Sequence, residues 1–260
     1  MQGIWWPTLR MPVSLMLLPR YGLRKKPSRL STARIFLQCN GLLQGSGSGK
    51  YSLSKNQMDH LVDRTLMRRC IALSVESGQA GEYPYGVVIA REGKPVAESI
   101  NRVAREKDVT RHAEVVAISA AQKALGTVSL DDCTIYVSAE PCVYCCYAIR
   151  ESRIGRVVYG LSSPHMGGVS KWPVLTDRDI SDTMPDVFAH PPQIVANFMA
   201  QEVEDALMKW DPVVVGATKA RGLFVTGAKS SVQLTGAKGT IGSRLMGFLR
   251  WAVFDRLGRS

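Results

Sequence analysis

Two short runs hold residues of the type and spacing that metal chemistry needs: His112-Ala113-Glu114 and Pro141-Cys142-Val143-Tyr144-Cys145. One imidazole and two thiolates are ligands that suit tetrahedral Zn²⁺. Three protein ligands leave a fourth position for water, which is the pattern of a catalytic site rather than a structural one. Zinc so held makes a water-derived nucleophile available near neutral pH. Glu114 lies two residues after His112, so both side chains can flank one cavity while the carboxylate stays off the metal. A carboxylate placed there can take a proton from water and deliver it to a departing group.

Two plainer explanations compete. A lone C-x-x-C can be a redox pair, but a redox pair has no need of His-x-Glu on a separate helix start. A closed structural zinc site needs a fourth ligand, and Cys146 is adjacent to Cys145. Successive helical residues point about 100° apart, so Cys146 should miss the metal.

These residues need elements to hold them. Pro141 suits the first position of a helix, where its missing N–H costs nothing. Cys142 and Cys145 then share a face near the positive end of the helix dipole, which favours thiolate. Thr110 is placed to cap the helix that carries His112 and runs to Gly126. Upstream, Val62, Leu66, Cys70 and Leu73 recur at helical steps between Asp59 and Ser77. Tyr85–Ala90 and Val96–Ile100, joined through Glu92-Gly93-Lys94, predict a hairpin. Cys133–Val137 and Arg156–Leu161 are strands on either side of the cysteine helix. Ile194–Ala196 is a short strand, and Met199–Trp210 an acidic amphipathic helix. The order is α/β, a three-layer α/β/α sandwich around a mixed sheet whose later strands run parallel.

The net charge of +11 is unevenly spread. Residues 1–57 hold nine Lys/Arg and no acid, and residues 225–260 hold six Lys/Arg and one Asp. The segment 58–224 is therefore left at −3. Three parts are expected: a basic N-terminal extension (1–57), a zinc domain (58–224) and a basic C-terminal tail (225–260). The extension reads either as an organelle transit segment or as an over-extended start with the protein proper beginning near Met58, the latter being favoured. A transit segment implies an organelle; otherwise the cytoplasm is expected. Six scattered cysteines fit a reducing compartment, and no apolar run is long enough to span a membrane.

The stretch from about Tyr83 to Gly160 resembles the cytidine and deoxycytidylate deaminase superfamily, whose signature is H-x-E with P-C-x-x-C. The likeness rests on Tyr83-Pro84-Tyr85-Gly86, Thr110-Arg111-His112-Ala113-Glu114, Glu140-Pro141-Cys142-Val143-Tyr144-Cys145 and Ser152-Arg153-Ile154-Gly155-Arg156-Val157-Val158. It is similar to the branch holding tRNA adenosine deaminases, guanine deaminases and fungal-type cytosine deaminases. The resemblance implies a cytidine deaminase-like fold, a homodimer, zinc on His112, Cys142 and Cys145, and Glu114 as proton shuttle. It also implies Asn101 as a substrate contact, Trp172 as a stacking partner in the covering loops, and Tyr83 or Tyr85 on the far wall.

The sequence departs from the family at Val109-Thr110-Arg111, Tyr144 and Cys146. These changes weaken transfer of any one substrate. Because phosphate contacts supply most nucleic-acid affinity, a slightly acidic domain favours a free nucleobase or nucleoside, of guanine or cytosine type, over tRNA. A tRNA wobble adenosine deaminase is the alternative. A non-catalytic zinc-containing partner subunit is a third, against which the presence of Glu114 counts.

Overall fold

The computed structural model describes residues 54–226. The two basic extensions lie outside the described residues, apart from Ser54–Gln57 and Val225–Thr226.

The chain opens with α1 (Lys55–Gln79). Ser54 caps it: its hydroxyl accepts from Gln57 N–H, and the Gln57 side chain accepts from Ser54 N–H. This reciprocal box satisfies two otherwise orphaned donors. The helix thus begins ahead of Met58. A hairpin follows, β1 (Gly86–Arg91) and β2 (Lys94–Ile100). Its two-residue turn, Glu92-Gly93, has both residues at positive φ. That conformation matches the strand twist.

A single turn, α2 (Val103–Glu106), leads to α3 (Ala113–Leu125). Then come β3 (Cys133–Ala139), α4 (Val143–Glu151) and β4 (Arg156–Leu161). After a loop with a 3₁₀ turn (Pro173–Leu175) and α5 (Asp179–Thr183) come β5 (Gln193–Val195), α6 (Ala200–Trp210) and α7 (Pro212–Ala220). The sequence reading missed α7, whose Val213-Val214-Val215 run disfavours helix. Its start signal was nonetheless present: Asp211 accepts from Val213 and Val214 N–H, and Pro212 takes the first helical position.

The sheet order is β2-β1-β3-β4-β5. β1 is antiparallel to β2 and β3, whereas β3, β4 and β5 run parallel. The expected mixed sheet and three layers are therefore present. Alternation along β1 divides the core. Val88 and Ala90 pack with α1, α6 and α7 residues such as Met67, Leu73, Val203 and Val215. Val87 and Ile89 pack with Ala117 and Ala121 of α3 and Ile149 of α4. The two helices that carry the metal-ligand motifs thus share one face. β3 ends at Ala139 and Cys142 caps the next helix, so the cysteine ligands lie at the C-terminal end of the parallel β3–β4 pair.

Candidate metal centre and active site

His112 is the N-cap of α3, and Cys142 is the N-cap of α4. Two expectations are corrected here. Pro141 is not the first helical residue; it precedes the cap, and Val143 opens the helix. Thr110 does not cap α3; its hydroxyl donates to Asp108 Oδ1, and His112 takes the N-cap position.

His112 Nδ1 stands 3.6 Å from Cys142 Sγ and 3.4 Å from Cys145 Sγ. A tetrahedral zinc ion, about 2.0 Å from nitrogen and about 2.3 Å from sulfur, sets such N–S edges at about 3.5 Å. The three ligand atoms lie within 4.8 Å of one another. The donor set and its dimensions fit zinc. Cys146 is turned away, its thiol donating to the Pro141 carbonyl, as the helix geometry required.

The electrostatics point the same way. The hydrogen bond from Cys145, aided by His112, holds the Cys142 thiol down at about 4 despite burial. Donating that bond, and being buried, pushes the Cys145 thiol up. The hydrogen bond to Cys142 raises His112. The two thiols are thus shifted in opposite directions, and a bound divalent ion would let both sulfurs ionise. Burial, then the Cys142 charge, pushes the Glu114 carboxyl up to about 7. It is 6% exposed and lies beside the three ligands, one residue into α3 from Ala113.

Around this centre the described residues form walls. Tyr144 packs its ring edge-to-face on His112 at 5.6 Å. Burial, then the charges of Glu114 and Cys142, pushes the Tyr85 hydroxyl up, and the Tyr83 ring centre lies 6.3 Å from its own. Asn101 is buried beside Tyr85, whose carbonyl accepts its backbone N–H. Its Nδ2 donates to Glu82 Oε2. Glu82, also buried, accepts from Ala104 and Arg105 N–H as well. Trp172 is not gathered with the triad: it is 54% exposed, with the Lys171 ammonium 5.6 Å from its ring centre. The loop that carries it nevertheless touches the site, because Gly167 bridges to Cys142.

Sequence reasoning gave no role to Glu82 or Glu140. Glu140 stood in the motif beside Pro141, yet its partners lie more than twenty residues downstream, where no spacing rule reaches.

Residues 61–161 match the cytidine and deoxycytidylate deaminase zinc-binding region. A tRNA-specific adenosine deaminase from Aquifex aeolicus is 40% identical over 104 residues, which is 40% of this chain and 69% of the relative. The chain belongs to this deaminase family. It is a zinc-binding deaminase domain, with a histidine and two cysteines positioned to bind the ion. A guanine deaminase from Bacillus subtilis is 44% identical over 96 residues, 36% of this chain and 62% of that protein. A tRNA(Ile)-lysidine synthase from Deinococcus deserti is 34% identical over 144 residues, 55% of this chain; the chain spans only 26% of that relative's length.

Among the described residues, no helix is long and apolar enough to cross a membrane.

Proposed function

We propose that this chain is a zinc-dependent hydrolytic deaminase of a free nucleobase or nucleoside, of guanine or cytosine type, releasing ammonia. His112, Cys142 and Cys145 hold the metal, which when bound supplies Lewis acidity that makes water nucleophilic near neutral pH. Glu114 takes the proton from the attacking water and returns it to the leaving amine. Its burial excludes bulk water, so the proton stays with the reacting groups. Asn101, its amide turned by Glu82, contacts the base, and Tyr85 forms the wall behind. Trp172, exposed on the loop that bridges to Cys142, is available to stack on the base from that side.

The observation that carries the small-substrate reading is the return of the segment Leu223–Val225 to the site. Val225 pairs with Ser162 through two backbone hydrogen bonds of 3.1 and 2.9 Å. Ser163 Oγ donates to the Leu223 carbonyl, and the Phe224 ring meets Tyr85 edge-to-face at 5.8 Å. The side of the site next to Tyr85 is thereby walled by the chain itself, which suits a substrate that can be enclosed.

A second reading is favoured by a different observation. Arg102, Arg105, Lys107 and Arg111 ring the loop before His112, with Glu106 and Asp108 among them, and Arg111 pairs with both acids. Such a rim suits the phosphates of a tRNA, the substrate class named for the Aquifex relative. A homodimer belongs to either reading and is checked by light scattering.

The deciding experiment measures ammonia release by the zinc-loaded full chain from guanine, cytosine, adenine and their nucleosides, alongside inosine formation in an anticodon stem-loop. Turnover of a free base or nucleoside with little salt dependence is expected. Turnover of the stem-loop alone, steeply weakened by salt, would replace this reading with the tRNA one.

A further inference from the structure

We propose that Glu140 is a positioning residue that locks the zinc ligand Cys142 to the loop carrying Trp172. Glu140 is 5% exposed at the end of β3. Its carboxylate accepts four hydrogen bonds from one downstream loop: Ser163 N–H at 2.7 Å, Val169 N–H at 3.0 Å, Ser170 N–H at 2.7 Å and Ser170 Oγ at 2.8 Å. Four donors fill the roughly four lone-pair sites that a carboxylate offers. All four partners are neutral, so the group organises backbone and does not merely neutralise a cation.

The same loop returns to the metal ligand. Gly167 makes a β-bridge with Cys142, and Gly168 N–H donates to the Pro141 carbonyl at 2.9 Å. Lys171 and Trp172 N–H both donate to the Gly167 carbonyl. The layers are in contact throughout. A Cβ on Gly167 would fall 2.1 Å from Glu140 Oε1, and one on Gly168 would fall 2.2 Å from Cys146 Sγ. Glu140, the 163–172 loop and Cys142 therefore form a closed ring of contacts. Cys146 acts within it as packing under Gly168, which gives that departure from the family pattern a structural role. The coupling is independent of which base is deaminated, because it acts on the ligand and the loop rather than on the substrate.

Outer partners of metal ligands typically alter metal affinity by about 10–100-fold when removed. Glu140→Gln keeps size but turns an NH₂ group towards N–H donors, so the loop loses its anchor. The test loads the full chain with zinc and follows zinc transfer to a chromophoric chelator, with trypsin cleavage after Lys171 as a second readout. Zinc release about 10–100-fold faster, and faster cleavage at Lys171, are expected in E140Q that still melts cooperatively. Asp63→Asn, which loosens the fold on the opposite face of the sheet, should leave zinc release unchanged. If E140Q does not fold, Ser170→Ala and Gly167→Ala carry the test, since each disturbs the same carboxylate. A folded E140Q, or the S170A and G167A pair, releasing zinc at the wild-type rate overturns the proposal.

Discussion

The sharpest energetic test lies away from the metal, where α1 is pinned to the sheet. Asp63 accepts from Arg156 Nη1 at 2.8 Å and Nη2 at 2.6 Å, and from the Tyr136 hydroxyl at 2.6 Å. The Asp63 side chain is 10% exposed and that of Arg156 25%. Breaking a buried pair costs about 3–5 kcal/mol, because one charge is left without its partner. Arg156 keeps partial contact with water, and asparagine can still accept from Tyr136. The cost of Asp63→Asn is therefore taken below that range, at about 2–3 kcal/mol. For a domain of this size it amounts to a melting-point drop of about 4–12 °C.

The pH dependence supplies the sign. Burial alone would raise the Asp63 carboxyl, but the hydrogen bonds from Arg156 and Tyr136 outweigh it and hold the group below its usual range. A carboxyl lowered by folding contributes stability that is fully present above its unfolded value, about 3.9. That contribution is lost as pH falls through the folded value. Urea unfolding should show wild type more stable than D63N by a constant margin between about pH 5 and 8, closing below about pH 4. A margin under about 0.5 kcal/mol at pH 7, or one unchanged at pH 3, refutes the reasoning.

Metal analysis of Cys142→Ser should show most of the zinc lost, because a hydroxyl is a far poorer ligand than the thiolate it replaces. Glu114→Gln should bind zinc and fold as wild type while activity falls about 10²–10⁴-fold, the usual worth of a positioned proton carrier; a rate near wild type rules the role out. Residues 54–226 should fold as a fragment. Trimming to 58–224 removes the Ser54 cap, worth about 1 kcal/mol, and the Val225 bridge, so its melting point should fall measurably; equal melting points would show that neither contact matters.

The metal motif was legible because its chemistry is local. His112 and Glu114 are two residues apart, Cys142 and Cys145 three, and helix geometry converts those spacings into a shared direction. The strands were legible because both faces of the sheet are covered, which leaves dense apolar runs such as Val87–Ala90 between turn residues. What failed were the caps. Pro141 and Thr110 both sit one or two residues outside the true boundary, since Cys142 and His112 themselves serve as N-caps while facing the metal. Caps of that kind follow no propensity rule, because the ligand role and not the capping hydrogen bond selects the residue.

Substrate choice was illegible for a related reason. In the proposed site the reacting groups come from two helix starts, but the walls would come from four separated stretches: Tyr83–Tyr85, Asn101, the loop 163–172 and Leu223–Val225. Each is held by a contact of long sequence separation, through Glu82, Glu140 and Ser162. A change in any one of these reshapes the cavity without touching the zinc motif, so members of one family can share the motif and differ in the base they accept. The Glu82 contact is the most direct instance. A carboxylate that takes two backbone N–H groups can only accept from Asn101, so the atom facing it must be Nδ2, whichever way an amide might otherwise be turned. If Asn101 contacts the substrate as proposed, Oδ1 and one N–H are what it would offer, a pattern that would discriminate among bases by their donors and acceptors rather than by size.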